Sequence, residues 1–145
     1  MKRHCLCGLL LGAITAHAAA SGHLVIERAW IRAAPPGAMM LAGYATLRND
    51  GDAVLAIVSA DSPDFGSVSV HESVAENGVE KMRLLPRLEI APGASVALAP
   101  GGRHLMLMQP RRELKQGDVA RIHLASETGG DATAEFPLRA DPPDH

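Results

Sequence analysis

Seven histidines and six methionines are the side chains of this 145-residue sequence best suited to chemistry, and their placement is uneven. The stretch Arg103 to Gln109 reads Arg-His-Leu-Met-Leu-Met-Gln. As a β-strand it would put Arg103, Leu105 and Leu107 on one face and His104, Met106 and Met108 on the other. The leucines can fill a core, which leaves an imidazole and two thioethers in a row, each about 7 Å from the next. A second pair comes from the hairpin at Ala75, Glu76, Asn77 and Gly78. If all four residues form the loop, His71 stands opposite Met82; if Asn77 and Gly78 alone turn the chain, Met82 faces Ser73 and lies diagonal to His71. Either register keeps His71 and Met82 on one face.

Thioether sulfur is soft, uncharged and never has to lose a proton, and neutral imidazole is a borderline ligand. Together they suit Cu(I) better than Zn(II), Mg(II) or Ca(II). Such a site needs no thiolate, which an oxidising compartment would convert to disulfide. Bland readings compete. A lone His-x-Met triplet arises by chance, and a strand methionine usually packs, as Met39, Met40 and Met108 could do. His23, His123 and His145 read as surface or satisfied histidines. On residue types and parity alone, a metal site and simple packing both stay open.

The elements that must position these side chains are short and apolar or alternating. They run Leu24 to Ile31, Met40 to Arg48, Ala53 to Ala60, Ser67 to Val74, Val79 to Leu84, Leu88 to Ile90, Ser95 to Leu98, Arg103 to Gln109, Val119 to Ala125 and Ala132 to Leu138. Clusters of Gly, Pro, Asn and Asp separate them, which predicts an all-β sandwich or barrel, with one short helix around Arg111 to Gln116. The length suits one domain. Aromatic residues make up only 3%, so the core must be aliphatic, with Trp30 and Tyr44 as its large rings. Base-stacking platforms are nearly absent, which argues against nucleic acid.

Residues 1–20 read as an export signal: Lys2 and Arg3, an apolar run from Leu6 to Thr15, then small residues, with cleavage after Ala18 or Ala20. The run is too short to span a bilayer. The expected organisation is a signal over 1–20, a binding domain over 21–140 and a flexible tail over 141–145. Loss of Lys2 and Arg3 takes the formal net charge from −2 to −4, which disfavours polyanion and membrane partners. Both cysteines, Cys5 and Cys7, fall inside the signal. The exported chain therefore lacks the thiolate of a blue-copper electron carrier. Neither cysteine follows the small and apolar residues of a lipid-attachment site, so a soluble protein is expected. No Ser, His and carboxylate cluster supports an enzyme, and His71 and Glu72 would point apart.

The complete spacing is His71, ten residues, Met82, twenty-one residues, His104, one residue, Met106. This resembles the signature of the periplasmic copper chaperone family PCuAC. Trp30 to Ala33, Pro35 to Gly37, Gly43 to Ala45 and Asn49 resemble that family's N-terminal half, so the likeness covers nearly all of the exported chain. It implies a cupredoxin-like or immunoglobulin-like Greek-key sandwich or barrel holding one Cu(I) ion on His71, Met82, His104 and Met106. It further implies delivery of copper toward the copper-binding subunit of cytochrome c oxidase, on a route that Sco-family proteins share; a monomer is expected. Two features depart from the family. Glu72 and Ser73 follow His71 where some relatives have methionine, and the tail offers only His145 where some carry a His- and Met-rich second site. A copper buffer without a dedicated acceptor would use the same four ligands, and a non-metal β-sandwich interaction module is the remaining alternative.

Overall fold

A computed structural model describes residues 18–144. The signal reading rests mostly on residues outside that range, as does His145. The described chain contains ten strands: β1 (Leu24–Arg32), β2 (Met40–Asn49), β3 (Leu55–Asp61), β4 (Phe65–Glu76), β5 (Val79–Leu84), β6 (Leu88–Ile90), β7 (Ser95–Leu98), β8 (Arg103–Pro110), β9 (Val119–Ser126) and β10 (Ala132–Arg139). Each corresponds to a segment expected from the alternation pattern, with ends shifted by a residue or two.

Seven strands close into a barrel in the order β4, β8, β2, β1, β10, β9, β3. The ring is completed where β3 returns to β4 at Ala60 and Val68. Neighbours are antiparallel except β1 and β10, which run parallel at Ile31 and Leu138. Strand β5 extends the sheet beyond β4, β6 attaches to β3, and β7 pairs with β2. The outcome is a closed single-domain barrel, one of the two all-β architectures the sequence predicts.

Closure works because the inward positions are aliphatic. Leu47, Leu55, Leu105, Leu107, Ile122 and Leu124 are fully buried. Gly43 stands opposite Leu105, and a Cβ on it would come within 3.3 Å of the Leu105 Cβ, so the missing side chain admits the leucine.

Trp30 and Tyr44 are buried as the sequence suggests, but in a patch apart from the central cluster, whose rings are Phe65 and Phe136. A bulge between Glu27 and Trp30, where Arg28 takes φ 50°, shifts the alternation of β1 by one residue. Ile31 turns inward, and Trp30 lies on the outer face against Tyr44, with ring centroids 4.9 Å apart. Both rings are nonetheless buried, so this outer patch is covered.

No helix forms over Arg111 to Gln116, because the backbone and side chains there are committed elsewhere. Arg111 N donates to Asp64 O, the Arg112 guanidinium to Asp64 and to Val119 O, and Lys115 N to the Asp118 carboxylate. Leu114 is drawn into the core from this loop.

Candidate metal centre

Strand β8 crosses the barrel wall between β4 and β2, so its outward residues meet side chains from both neighbours. His104 pairs directly with His71 of β4, Met106 lies between Ser69 of β4 and Ala42 of β2, and Met108 lies between Ser67 of β4 and Met40 of β2. Directly paired residues project to the same face. The face is therefore two imidazoles at one end with thioethers following along β8, flanked by small Ser and Ala side chains that leave the sulfurs room.

The β4–β5 hairpin uses the tighter of the two turns. Asn77 and Gly78 have φ 52° and 76°, which is the two-residue turn suited to strand twist. The register is Glu76 with Val79, Ser73 with Met82 and His71 with Leu84. Met82 is diagonal to His71 on the shared face, and the four-residue loop with His71 opposite Met82 is not formed.

The two imidazole centroids are 6.1 Å apart, with ring planes 22° from parallel. Metal–nitrogen bonds of about 2 Å allow two rings on one ion to lie at most about 6 Å apart, so this pair sits at the limit of that reach. His104 is 6% exposed. Its Nδ1 lies 3.2 Å from Gly102 O, and a carbonyl can only accept, so in the neutral ring Nδ1 carries the proton and Nε2 the lone pair. Nε2 is buried and has no hydrogen-bond partner among the described residues. An unpaired buried acceptor costs about 1–3 kcal/mol, which a metal bond would offset. His71 Nδ1 lies 3.3 Å from Ser69 Oγ. Burial, and then the neighbouring His104, hold the His71 imidazole below its ordinary pKa. Both effects favour the neutral form, the one a metal ligand must have.

Met82, His104 and Met106 line one cleft of about 410 Å³, together with Arg32, Met40 and Tyr44. His71 lies beside it on β4, against His104, and does not form its wall. A larger cleft of about 560 Å³ around Arg32, Glu113 and Asp141 contains no imidazole or thioether, so volume alone does not pick out the site. Among the described residues, no three His, Cys, Asp or Glu side chains are grouped to hold a metal. The donors that join the imidazoles on this face are thioether sulfurs, a mixture that suits a soft ion. Glu72 faces away from His71 and engages Arg83 and Arg103 at 3.3 and 3.4 Å.

Comparison with known proteins places the chain in a family. A family model described as "Putative lipoprotein LpqE-like" matches residues 24–138. The chain belongs to this LpqE-like, or PCuAC copper chaperone-like, family. A Leifsonia xyli subsp. xyli (strain CTCB07) protein named "Putative lipoprotein Lxx21020" is 31% identical over 115 residues, 79% of this chain and 68% of its own length. Among solved structures, the copper-bound PCuAC domain from PmoF2 superposes with a TM-score of 0.68 at 26% identity, covering 86% of this chain and 99% of that one. The Cu(I) form of DR1885 from Deinococcus radiodurans gives a TM-score of 0.65 at 30% identity, covering 89% and 86%.

The residues that carry the PCuAC resemblance outside the four donors now have structural roles. Trp30 and Tyr44 form the outer aromatic patch, and the Arg32 guanidinium caps both rings at 5.8 and 5.9 Å. Ala33, Ala34 and Pro35 wall the cleft opposite β5. Asn49 is fully buried and satisfies its amide completely: Oδ1 accepts from His23 N and Gly51 N, and Nδ2 donates to Ala53 O and Ile90 O. Sequence reasoning set Met40 aside as packing, yet Met40 is 48% exposed and lines the cleft. Its parity with Ala42 and Tyr44 could have placed it there. His23 and His123 lie away from the cleft, the latter against Asp61 at 2.9 Å.

Proposed function

We propose that this protein is an exported, non-enzymatic copper carrier that binds one Cu(I) on His71, Met82, His104 and Met106 and hands it to another protein. The observation that carries the reading is His104 Nε2: a buried nitrogen without a hydrogen-bond partner among the described residues, directly across the strand pair from His71 and one alternation from Met106. The copper-bound state of the PmoF2 domain and the Cu(I) state of DR1885, two proteins of the same fold, support copper as the cargo.

The arrangement favours transfer over storage. All four donors are neutral, so release breaks no anionic bond and requires no reprotonation. Met82 is 55% exposed on an edge strand whose every residue is exposed, so an incoming ligand can displace its sulfur first. His71, His104 and Met106 keep hold from the barrel wall until a new donor is in place. We propose the copper-binding subunit of cytochrome c oxidase as the acceptor, with Sco-family proteins on the same route, and a monomeric carrier in the periplasm. The relatives' lipoprotein names and the signal read in residues 1–20 both support export. No helix among the described residues is long and apolar enough to cross a membrane.

The test is to load the protein with Cu(I) and mix it with the apo copper domain of cytochrome c oxidase or with an apo Sco-family protein. Measuring where the metal resides after separation then decides. Movement onto an acceptor at a rate above spontaneous dissociation is expected. Copper that leaves only as fast as it dissociates into a chelator would make the protein a buffer.

A further inference from the structure

The outer face of β8 continues past the four-donor cluster. Met108 is paired with Met40 of β2, one alternation beyond Met106, and opposite Ser67 on its other side. Directly paired side chains have Cβ atoms about 5 Å apart, and Met106 is about 7 Å further along the strand. The backbone fixes this juxtaposition. Gln109 takes φ 54°, unusual for a residue with a side chain, and its N–H donates to Met39 O at 2.8 Å, which clamps the two strands just beyond the pair. Core packing does not account for Met40. A buried methionine fills gaps, but Met40 is about half exposed, at an outward strand position where polar residues cost less.

We propose that Met40 and Met108 form a second, weaker station for a soft monovalent ion, Cu(I) or its analogue Ag(I), adjoining the four-donor site through Met106. The pair lacks an imidazole and holds the ion on thioethers alone, so it binds less tightly and is indifferent to pH over the physiological range. An ion moves between the stations by ligand exchange: a sulfur of the pair displaces Met82 and bonds the metal while Met106 is still attached, and the imidazoles then let go. No electron or proton is transferred, and the oxidation state is unchanged. The ladder leads from buried His104, through half-buried Met106, to exposed Met40. The shared use of Met106 rests on the function proposed above, whereas ion binding by the pair does not.

The full chain, labelled with 13C at the methionine methyl groups, is titrated with Ag(I), which avoids redox chemistry. The first equivalent is expected to shift the Met82 and Met106 resonances, and further Ag(I) those of Met40 and Met108. In a Met40→Leu/Met108→Leu variant, which keeps side-chain volume, the Met82 and Met106 shifts should persist while binding beyond the first equivalent weakens about tenfold or more. Met40 and Met108 resonances that stay still at several equivalents, or a variant that takes the second equivalent as tightly as the original chain, overturn the proposal. Response of Met40 and Met108 with Met82 and Met106 silent would support the pair and count against the four-donor site.

Discussion

The two sides of the candidate centre are built differently. His71, His104 and Met106 project from β4 and β8, strands paired on both edges within the barrel wall and anchored from inside by Val70, Leu105 and Leu107. Met82 projects from β5, which pairs only with β4 and buries none of its residues. A donor on the wall is held in place by core packing that forms whether or not metal is present. A donor on the hairpin is held by one strand ladder and a two-residue turn, and it can swing at little cost. Affinity should therefore reside in the wall, and exchange should be governed by the hairpin.

The most damaging single change should be His104→Ala. It removes the buried lone pair, and the remaining donors cannot replace it from the same side. Loss of a mere supporting partner of a ligand costs metal sites 10–100-fold, so loss of the ligand itself should lower Cu(I) affinity by about a hundredfold or more, roughly 3 kcal/mol. Competition against a chromogenic Cu(I) chelator measures this, with far-UV circular dichroism to show that the barrel is intact. Unchanged affinity in a folded variant would remove His104 from the site.

Acid should weaken the wall next. Protons compete with Cu(I) for imidazole nitrogen, and thioethers do not titrate. His71 is held below the ordinary imidazole value of about 6.5 by burial and by His104, so its neutral form persists to lower pH than a surface histidine's. Affinity should be flat at neutral pH and fall in acid, with a slope that approaches about tenfold per pH unit for each imidazole that must lose a proton. Chelator competition at closely spaced pH values from 8 to 5 reads that slope. A flat profile across the range would mean that neither histidine ligates.

The wall was the more legible half from sequence. Strand parity in Arg103 to Gln109 separates Leu105 and Leu107 from His104 and Met106 without reference to any other segment, and the barrel keeps that separation because one face must be apolar to close. All ten strands followed from the same alternation. What depended on irregular backbone was harder to read. The Arg28 bulge inverts the parity of β1 and moves Trp30 to the outer face of the barrel wall, and nothing in its local composition marks that residue for positive φ. The hairpin register was legible only to within two alternatives, since Ala-Glu-Asn-Gly serves equally as a four-residue loop or as a strand end plus Asn-Gly turn. The Arg111 to Gln116 loop failed as a helix because its partners, Asp64 and Val119, are remote in sequence or lie across a turn. The pairing of His71 with His104 is a long-range contact of the same kind. Strand alternation could not supply it, and only the family spacing suggested it.

Met82→Ala sharpens the contrast between the two halves, and its effect on affinity should be the smallest of the three. With His71, His104 and Met106 still on the wall, Cu(I) retains three donors, so the equilibrium loss should be about tenfold, near 1.4 kcal/mol. The kinetic effect should be of a different kind. If the Met82 sulfur is the first bond broken during transfer, its removal leaves an open coordination position. An incoming donor can then attack without waiting for the hairpin to move, so stopped-flow transfer to a chelator should become faster and more nearly first order in chelator concentration. His104→Ala should instead accelerate spontaneous dissociation, because it removes a donor that the barrel holds rigidly. Equal losses of affinity in the two variants, with the same change in exchange kinetics, would show that the hairpin and the wall act as one unit and that the exposure of β5 has no part in release.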